Sequence, residues 1–508
     1  MQRIVKNTAA LFARQIVLAI ISLYTVRLLL QGLGISDYGV LNATLSVAML
    51  MSFVTGSIGM ITQRYLAFAI GEGSRANIKR YYDTCLFMTI ASAAFIFALL
   101  ETAGLWFVSQ QMTIEPDRYE AVTMLYQLLL LQVVVGTITS FHSSVILAHE
   151  DMHVFAMFSI LQALLRLGAA LSIAFLAWDT LVTYGFLLLA SVLVVMIAQW
   201  VYCARRYEEC AFGRVSIDFV TLREMLGFTR WTLFGQFTTV CRTQAITLLI
   251  NQAFNPATVA ARALSFTIYS QVQTFSQNFT SALNPPITKA YASGNHSQTL
   301  LLIILGSKLA FFLSWIVTLP VIAFLPGILN LWLGTYPAET VLFSRLALVE
   351  GLILSISFPL MTAIRAVGDM RSYELMLGGL QLLILLLSWL LVREGFPVYS
   401  IFIVAIIINI FMFFVRLWLA QRLIGLNVTA YTQSVVLPVG VTAAASATII
   451  ASLIIIAPGS MDLEMSSTSL AMAGAILLCA PVCILVFGVS RAERNTLLRM
   501  VLSKLSKR

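Results

Sequence analysis

Almost the whole chain is a succession of apolar runs about 20 to 27 residues long, and a helix of that length crosses the roughly 30 Å hydrocarbon core of a bilayer. The sequence therefore reads as an all-α polytopic membrane protein. Of the 508 residues, 60% are hydrophobic and only 10% charged, with a mean hydropathy of +0.92, where a soluble domain carries about 25% charge. The runs and their interruptions predict fourteen transmembrane helices, at roughly 8–33, 38–62, 83–108, 121–147, 154–177, 181–203, 227–253, 258–283, 299–325, 341–364, 374–392, 399–419, 434–457 and 468–489. The first run is too long for the h-region of a cleavable signal, carries Arg14 and Arg27, and lacks a small-residue cleavage site, so it is expected to remain as helix 1.

Lysine and arginine set the orientation. With the N-terminus inside, the inner segments hold Arg64, Arg75, Lys79, Arg80, Arg205, Arg206, Arg365, Arg371, Arg416, Arg422 and the basic tail, whereas the outer loops hold only Arg118 and Arg393. Both termini are then expected in the cytoplasm. The same asymmetry accounts for the net charge of +9, so contact with membrane lipids explains the basic loops and no nucleic-acid partner is implied. The outer loops are short, which disfavours membrane polymerases and glycosyltransferases that hold an acceptor in an extended external domain. The longest inner loop, 204–226, ends in an amphipathic stretch from Asp218 to Leu226 that is expected to lie on the membrane as a linker helix.

A weak internal repeat divides the chain. Ile146-Leu147-Ala148-His149-Glu150-Asp151-Met152 after helix 4 is matched by Ile364-Arg365-Ala366-Val367-Gly368-Asp369-Met370 after helix 10, an offset of roughly 220 residues. Two lobes are expected, helices 1–6 over 1–203 and helices 7–12 over 227–425, joined by the 204–226 linker and followed over 426–508 by helices 13 and 14 with a basic tail. An even number of helices in each half makes the repeats parallel, and the substrate path would run between them.

Few motifs point to chemistry. His149-Glu150-Asp151-Met152-His153 matches H-E-x-x-H, a zinc-protease pattern in which two histidines one helical turn apart bind the metal. The repeat copy puts Val367, Gly368 and Arg371 at the corresponding positions, and no Asp-Gly dipeptide supplies a third ligand, so the stretch reads better as an inter-helix loop. No phosphate-binding G-x-x-x-x-G-K-[S/T] loop occurs, and the six cysteines include no C-x-x-C pair. No catalytic residue, metal or cofactor is expected.

What remains is polarity in unusual places. Helix 8 carries a stripe of Arg262, Ser265, Tyr269, Gln273, Ser276 and Thr280 at helical spacing, and helix 7 one of Thr232, Gln236, Thr239, Thr243, Thr247 and Asn251. Helices 1, 2, 7 and 8, the first pairs of the two halves, are therefore expected to line a wet cavity, although hydroxyls and amides also glue helices together. Intramembrane charge is mostly positive: Arg14, Arg27, Arg166, Arg242, Arg262, Lys308 and Arg345 outnumber Glu101 and Glu350. Each central arginine costs about 2.5–3.5 kcal/mol to insert, so several of them imply water, an anion or snorkelling. Lys308 and Glu350 fall at similar depth on consecutive helices, which suits an ion pair or a coupling site.

The segment Arg27-Leu28-Leu29-Leu30-Gln31-Gly32-Leu33-Gly34-Ile35-Ser36-Asp37-Tyr38-Gly39-Val40-Leu41 resembles the R-x-L-G-x-x-D-Y-G-[V/L]-[Y/L] signature of bacterial polysaccharide exporters, with two extra residues before the glycine, and Ala366-Val367-Gly368-Asp369 is similar to their second-half turn. The resemblance covers essentially the whole chain and suggests an O-antigen-type flippase of the multidrug/oligosaccharidyl-lipid/polysaccharide exporter superfamily. It implies that an oligosaccharide on a polyprenyl diphosphate is moved across the bacterial inner membrane by alternating access, with a polysaccharide polymerase and a chain-length regulator as candidate partners. Arg27, Arg242 and Arg262 are the residues expected to meet the diphosphate, because arginine forks match its oxygens; Gln236, Tyr269 and Gln273 are expected to contact sugar or the opposite lobe. A multidrug cation antiporter of the same fold is the main alternative, but it would want acids in the cavity, and helix 1 has none.

Overall fold

The computed structural model describes residues 2–72, 74–175, 179–210, 218–367, 370–456 and 467–489. Gly368 and Asp369 of the second-half turn, residues 211–217 of the linker, the tail beyond 489 and the side chain of Arg14 lie outside this description.

The chain is all helical. Its helices are α1 (Gln2–Met49), α2 (Ser52–Glu72), α3 (Arg75–Leu99), α4 (Leu105–Gln110), α5 (Tyr119–Ala148), α6 (Met152–Ser172), α7 (Thr180–Arg206), α8 (Phe219–Ala253), α9 (Pro256–Ala292), α10 (His296–Ala323), α11 (Leu325–Leu333), α12 (Thr340–Val367), α13 (Met370–Arg393), α14 (Tyr399–Ile424), α15 (Val428–Tyr431), α16 (Leu437–Ile456) and α17 (Ser467–Cys483). Among the described residues, ten segments are long and apolar enough to cross a membrane. Helices α8 and α9 are long enough, at 35 and 37 residues, but too polar to belong to that set.

The boundaries follow local chemistry. Within α1, only Gly34 is non-helical, with φ 79° and ψ 174°; a side chain is strained there, so glycine marks the end of the first crossing and the start of the second. Ser74, Asp179, Asn295 and Asn427 cap the following helices by accepting backbone N–H bonds. The stretch expected as a separate linker helix is instead the first part of α8, which runs unbroken from Phe219 to Ala253. No proline interrupts it, and Thr221 Oγ1 bonds Asp218 at its start. Helix α11, begun by Pro326 and ended by Gly334 at φ 77°, was not foreseen in the outer loop after helix 9.

Two compact units emerge. The first comprises residues 1–263 and 374–398, the second 264–373 and 399–508. In the first, α1 lies along α6 and α5, α2 along α5 and α3, and α5 along α7, around a core that includes Tyr126, Leu129 and Phe141. In the second, α10 and α14 flank α12, with Phe343 stacked on Phe402 at 4.8 Å. Helices α16 and α17 also pack on α10, where Trp315 Nε1 donates to Ser446 Oγ at 2.9 Å. The pairing of α12 with α14 repeats that of α5 with α7 roughly 220 residues earlier.

These units cut across the expected lobe boundaries at 203 and 227. Helix α8 packs along α1 and α2, and Gly378 of α13 brings that helix against Phe234 and Thr238 of α8, so α8 and most of α13 stand with the first-half helices.

Candidate functional site

The most specific sequence motif becomes a set of contacts. Asp37 accepts both Nε and Nη2 of Arg118, with Nε at 3.2 Å, and Arg118 Nη1 reaches Asp179 Oδ2 at 2.6 Å. Asp179 meanwhile accepts Leu181 N at 3.0 Å and Val182 N at 3.2 Å, holding the start of α7. One guanidinium thus joins three inter-helix turns. Tyr38 is buried, and its carbonyl accepts Asn42 Nδ2 at 2.7 Å. Gly39 lies so close to the α8–α9 turn that a Cβ there would stand 1.9 Å from the Pro256 carbonyl oxygen. At the same end, buried Asn251 accepts Thr113 N at 3.1 Å.

The three arginines expected to meet a diphosphate, Arg27, Arg242 and Arg262, are all half-buried. Arg262 is half-buried, bonding Thr247 Oγ1 and, at 3.0 Å, the Thr243 carbonyl. Its charge is therefore drawn onto α8 in the turn after Arg242, which is also half-buried. Gln236, two turns earlier on α8, places Oε1 where a Cβ on Gly56 would stand 2.8 Å away, and its Nε2 lies 3.9 Å from Met60 Sδ. Arg27 is half-buried in α1. Arg166 of α6 is exposed.

In the second unit, Tyr269 and Gln273 both lie on Gly351 of α12. A Cβ on Gly351 would come within 2.9 Å of the Tyr269 ring, and Gln273 Nε2, almost fully buried, donates to the Gly351 carbonyl at 3.1 Å. Here both side chains hold α9 to α12. Lys308 is buried in α10, and half-buried Glu350 accepts Asn409 Nδ2 at 3.0 Å, the same amide group donating to Ala405 O at 2.8 Å. Asn409 was missed: in an almost pure aliphatic helix it was the one signal that could have paired α14 with Glu350.

The H-E-x-x-H stretch is not one helical turn. His149 caps the end of α5, Glu150 adopts φ 60° and Asp151 opens α6. His149 Nε2 meets Glu209 Oε1 at 2.6 Å while its ring stacks on Tyr207 at 3.9 Å, and Tyr207 Oη donates to Asp151 Oδ2 at 2.7 Å. His153 is exposed. Burial raises the Tyr207 hydroxyl above its ordinary range, and Asp151 adds to the effect. Among the described residues no group of three His, Cys, Asp or Glu side chains could hold a metal ion.

Among the described residues, further buried charges escaped the sequence, among them Asp83 of α3, 1% exposed and 3.0 Å from Lys79 Nζ. Glu374 of α13, 6% exposed, would contact a Cβ on Gly235 of α8. Arg416, assigned from sequence to the basic inner segments, is 2% exposed within α14.

Architecture and site together define a multi-pass membrane protein with arginines on polar α8 and at the start of α9, and comparison with known proteins identifies the fold. No protein-family model and no curated protein matches the chain. Solved structures do. An inward-facing multidrug resistance MATE family transporter of the MOP superfamily matches with a TM-score of 0.71 at 14% identity, over 81% of this chain and 96% of that one. The lipid II flippase MurJ, in its inward closed conformation, matches with a TM-score of 0.71 at 10% identity, over 95% of this chain and 98% of that one. A MOP superfamily transporter from Pyrococcus furiosus, described by a binding pocket of reverse polarity, matches with a TM-score of 0.63 at 14% identity, over 82% and 95%. The chain has the MOP superfamily transporter fold.

Proposed function

We propose that the protein is a flippase that carries an oligosaccharide linked to a polyprenyl diphosphate from the inner to the outer leaflet of the bacterial cytoplasmic membrane. The two six-helix repeats alternate access, and both termini lie in the cytoplasm. The observation that carries this reading is the bonding of Arg262, at the start of α9, to Thr243 and Thr247 of α8, in the turn that follows Arg242. Guanidinium forks suit diphosphate oxygens, and the threonine and glutamine side chains of α8 suit a glycan. The match to the lipid II flippase also extends over 95% of the chain, against 81% for the multidrug transporter at the same TM-score.

Moving a negative charge outward across an inside-negative membrane gains about 2.3 kcal/mol per 100 mV, so a dianionic head group is driven without nucleotide. Lys308, Glu350 and Asn409 are the groups available for coupling to an ion.

A MATE-like cation antiporter is the second reading, favoured by the buried carboxylate of Glu374 beside Gly235. Deleting the gene separates the two. Loss of surface glycan, restored by the intact gene, is the expected outcome; unchanged glycan with new sensitivity to lipophilic cations would establish the antiporter instead.

A further inference from the structure

An apolar cavity of about 700 Å³ lies in the first unit, framed by α8, α13, the end of α3 and α4. That volume falls within the roughly 300–1,000 Å³ of small-molecule sites. Its lining is almost wholly aliphatic and aromatic, with Gln252 and Cys241 as the exceptions, so it offers water few partners.

The wall of the cavity is shaped by a local device. Helix α3 passes into α4 through a π-turn at Leu100–Gly104, a feature that widens the backbone spiral. Fully buried Tyr126 inserts its hydroxyl there and donates to Leu100 O at 2.6 Å. A Cβ on Gly104 would stand 2.0 Å from that hydroxyl. Leu100, Gly104 and Phe107 then face the cavity, and its exposed lining includes Trp106, Leu386 and Trp389.

Helix α8 joins this cavity to the arginines. At about 100° per residue, Cys241, Ala245, Leu248 and Gln252 share the face that lines the cavity. Gln236, Thr239, Thr243 and Thr247 share the opposite face, where Arg262 is bonded. Arg242 falls at the border, about 100° around from Cys241. An amphiphile whose anionic head rests on Arg242 and Arg262 would lead its apolar chain around α8 into the cavity.

We infer that this cavity seats the isoprenoid chain of the transported lipid, an assignment that rests on the flippase reading above. Photolabelling of the full-length protein in phosphatidylethanolamine and phosphatidylglycerol vesicles tests it. The probes are farnesyl phosphate with a terminal diazirine and, separately, phosphatidylglycerol with a diazirine on its acyl chain. The farnesyl probe should label peptides within the four lining segments 47–51, 99–107, 241–252 and 382–389, resist excess phosphatidylglycerol, and lose labelling about tenfold, equivalent to roughly 1.4 kcal/mol, when Ala245→Trp fills the cavity. Leu386→Trp, at a half-exposed position on α13, should do the same and covers the case in which Ala245→Trp does not fold. Equal labelling by the phospholipid probe, displacement by phosphatidylglycerol, labelling elsewhere, or insensitivity to both tryptophans would overturn the assignment. Failure of the flippase reading is read separately: a deletion strain with normal surface glycan rejects that reading whatever the probe labels, whereas glycan export without farnesyl labelling rejects only the cavity assignment.

Discussion

Asp179 uses one carboxylate oxygen to cap α7 and the other to hold Arg118, whose Nη1 lies 2.6 Å away. Because Arg118 also holds Asp37, three turns distant in sequence depend on one side chain. Arg118→Gln should lower stability in detergent by about 1–3 kcal/mol, since two carboxylates lose their charged donor. Arg118→Lys should recover little, because a single ammonium cannot serve both acids as a planar fork does. Thermal unfolding of the purified variants checks this; a lysine variant as stable as the parent would show that charge alone, without the fork, suffices.

Gly39 is the glycine of the Asp-Tyr-Gly turn, and its contact with the Pro256 carbonyl leaves no room for a methyl group. Gly39→Ala must push backbone against backbone, so a loss of about 1–3 kcal/mol is expected. Gly71, with nothing within 4 Å of an added Cβ, is the control, and Gly71→Ala should be close to neutral. Equal melting temperatures for the two variants would contradict the close approach.

The Glu209 carboxyl responds to opposing influences. Burial pushes it up, but the hydrogen bond from His149, a backbone N–H and the charges of His149 and Lys79 hold it below its ordinary value. A carboxyl depressed in the folded state contributes stability above its unfolded value, about 4.3, and loses that contribution as pH falls through the lower folded value. Glu209→Gln should therefore melt below the parent at about pH 6 by an amount equivalent to about 1 kcal/mol, and the gap should close toward about pH 3.5. A gap that stayed constant across this range would remove the ionised carboxylate from the account.

Glu150 is exposed and sits at φ 60°, a conformation that costs an L-residue about 1–2 kcal/mol. Glu150→Gly should stabilise the α5–α6 turn, less whatever the unfolded chain gains in freedom, and leave export intact. Zinc analysis of the same preparation addresses the metalloprotease reading. One metal per chain, lost in His149→Ala, would show that the turn binds zinc after all.

Much of the membrane architecture could be read from the apolar runs, because each crossing announces itself over a continuous stretch of residues. The polarity of α8 and α9 was equally legible, as was the importance of Asp37-Tyr38-Gly39. The partners were not. Arg118 read as an outer-loop charge, since nothing local to it points to Asp37 or Asp179, and Gly351 drew no attention until α9 was seen lying on it. Arg416 looked like part of a basic inner segment because its burial depends on how α14 packs, not on its neighbours in sequence. The continuity of α8 through Leu226 was hidden for a related reason: an amphipathic stretch predicts a helix but does not say whether that helix stops before the next crossing.

The central claim, an anionic lipid-linked glycan held by the α8–α9 arginines, is tested most directly by transport in proteoliposomes. A fluorescent oligosaccharide on polyprenyl diphosphate would be supplied to one leaflet and its appearance in the other followed by quenching. Arg242→Ala and Arg262→Ala should each abolish the protein-dependent rate with insertion unchanged, the corresponding lysine variants should recover only part of it, and Arg166→Ala, at an exposed position on α6, should transport normally. Normal rates in the Arg242 and Arg262 variants, or failure of Arg166→Ala alone, would contradict the account.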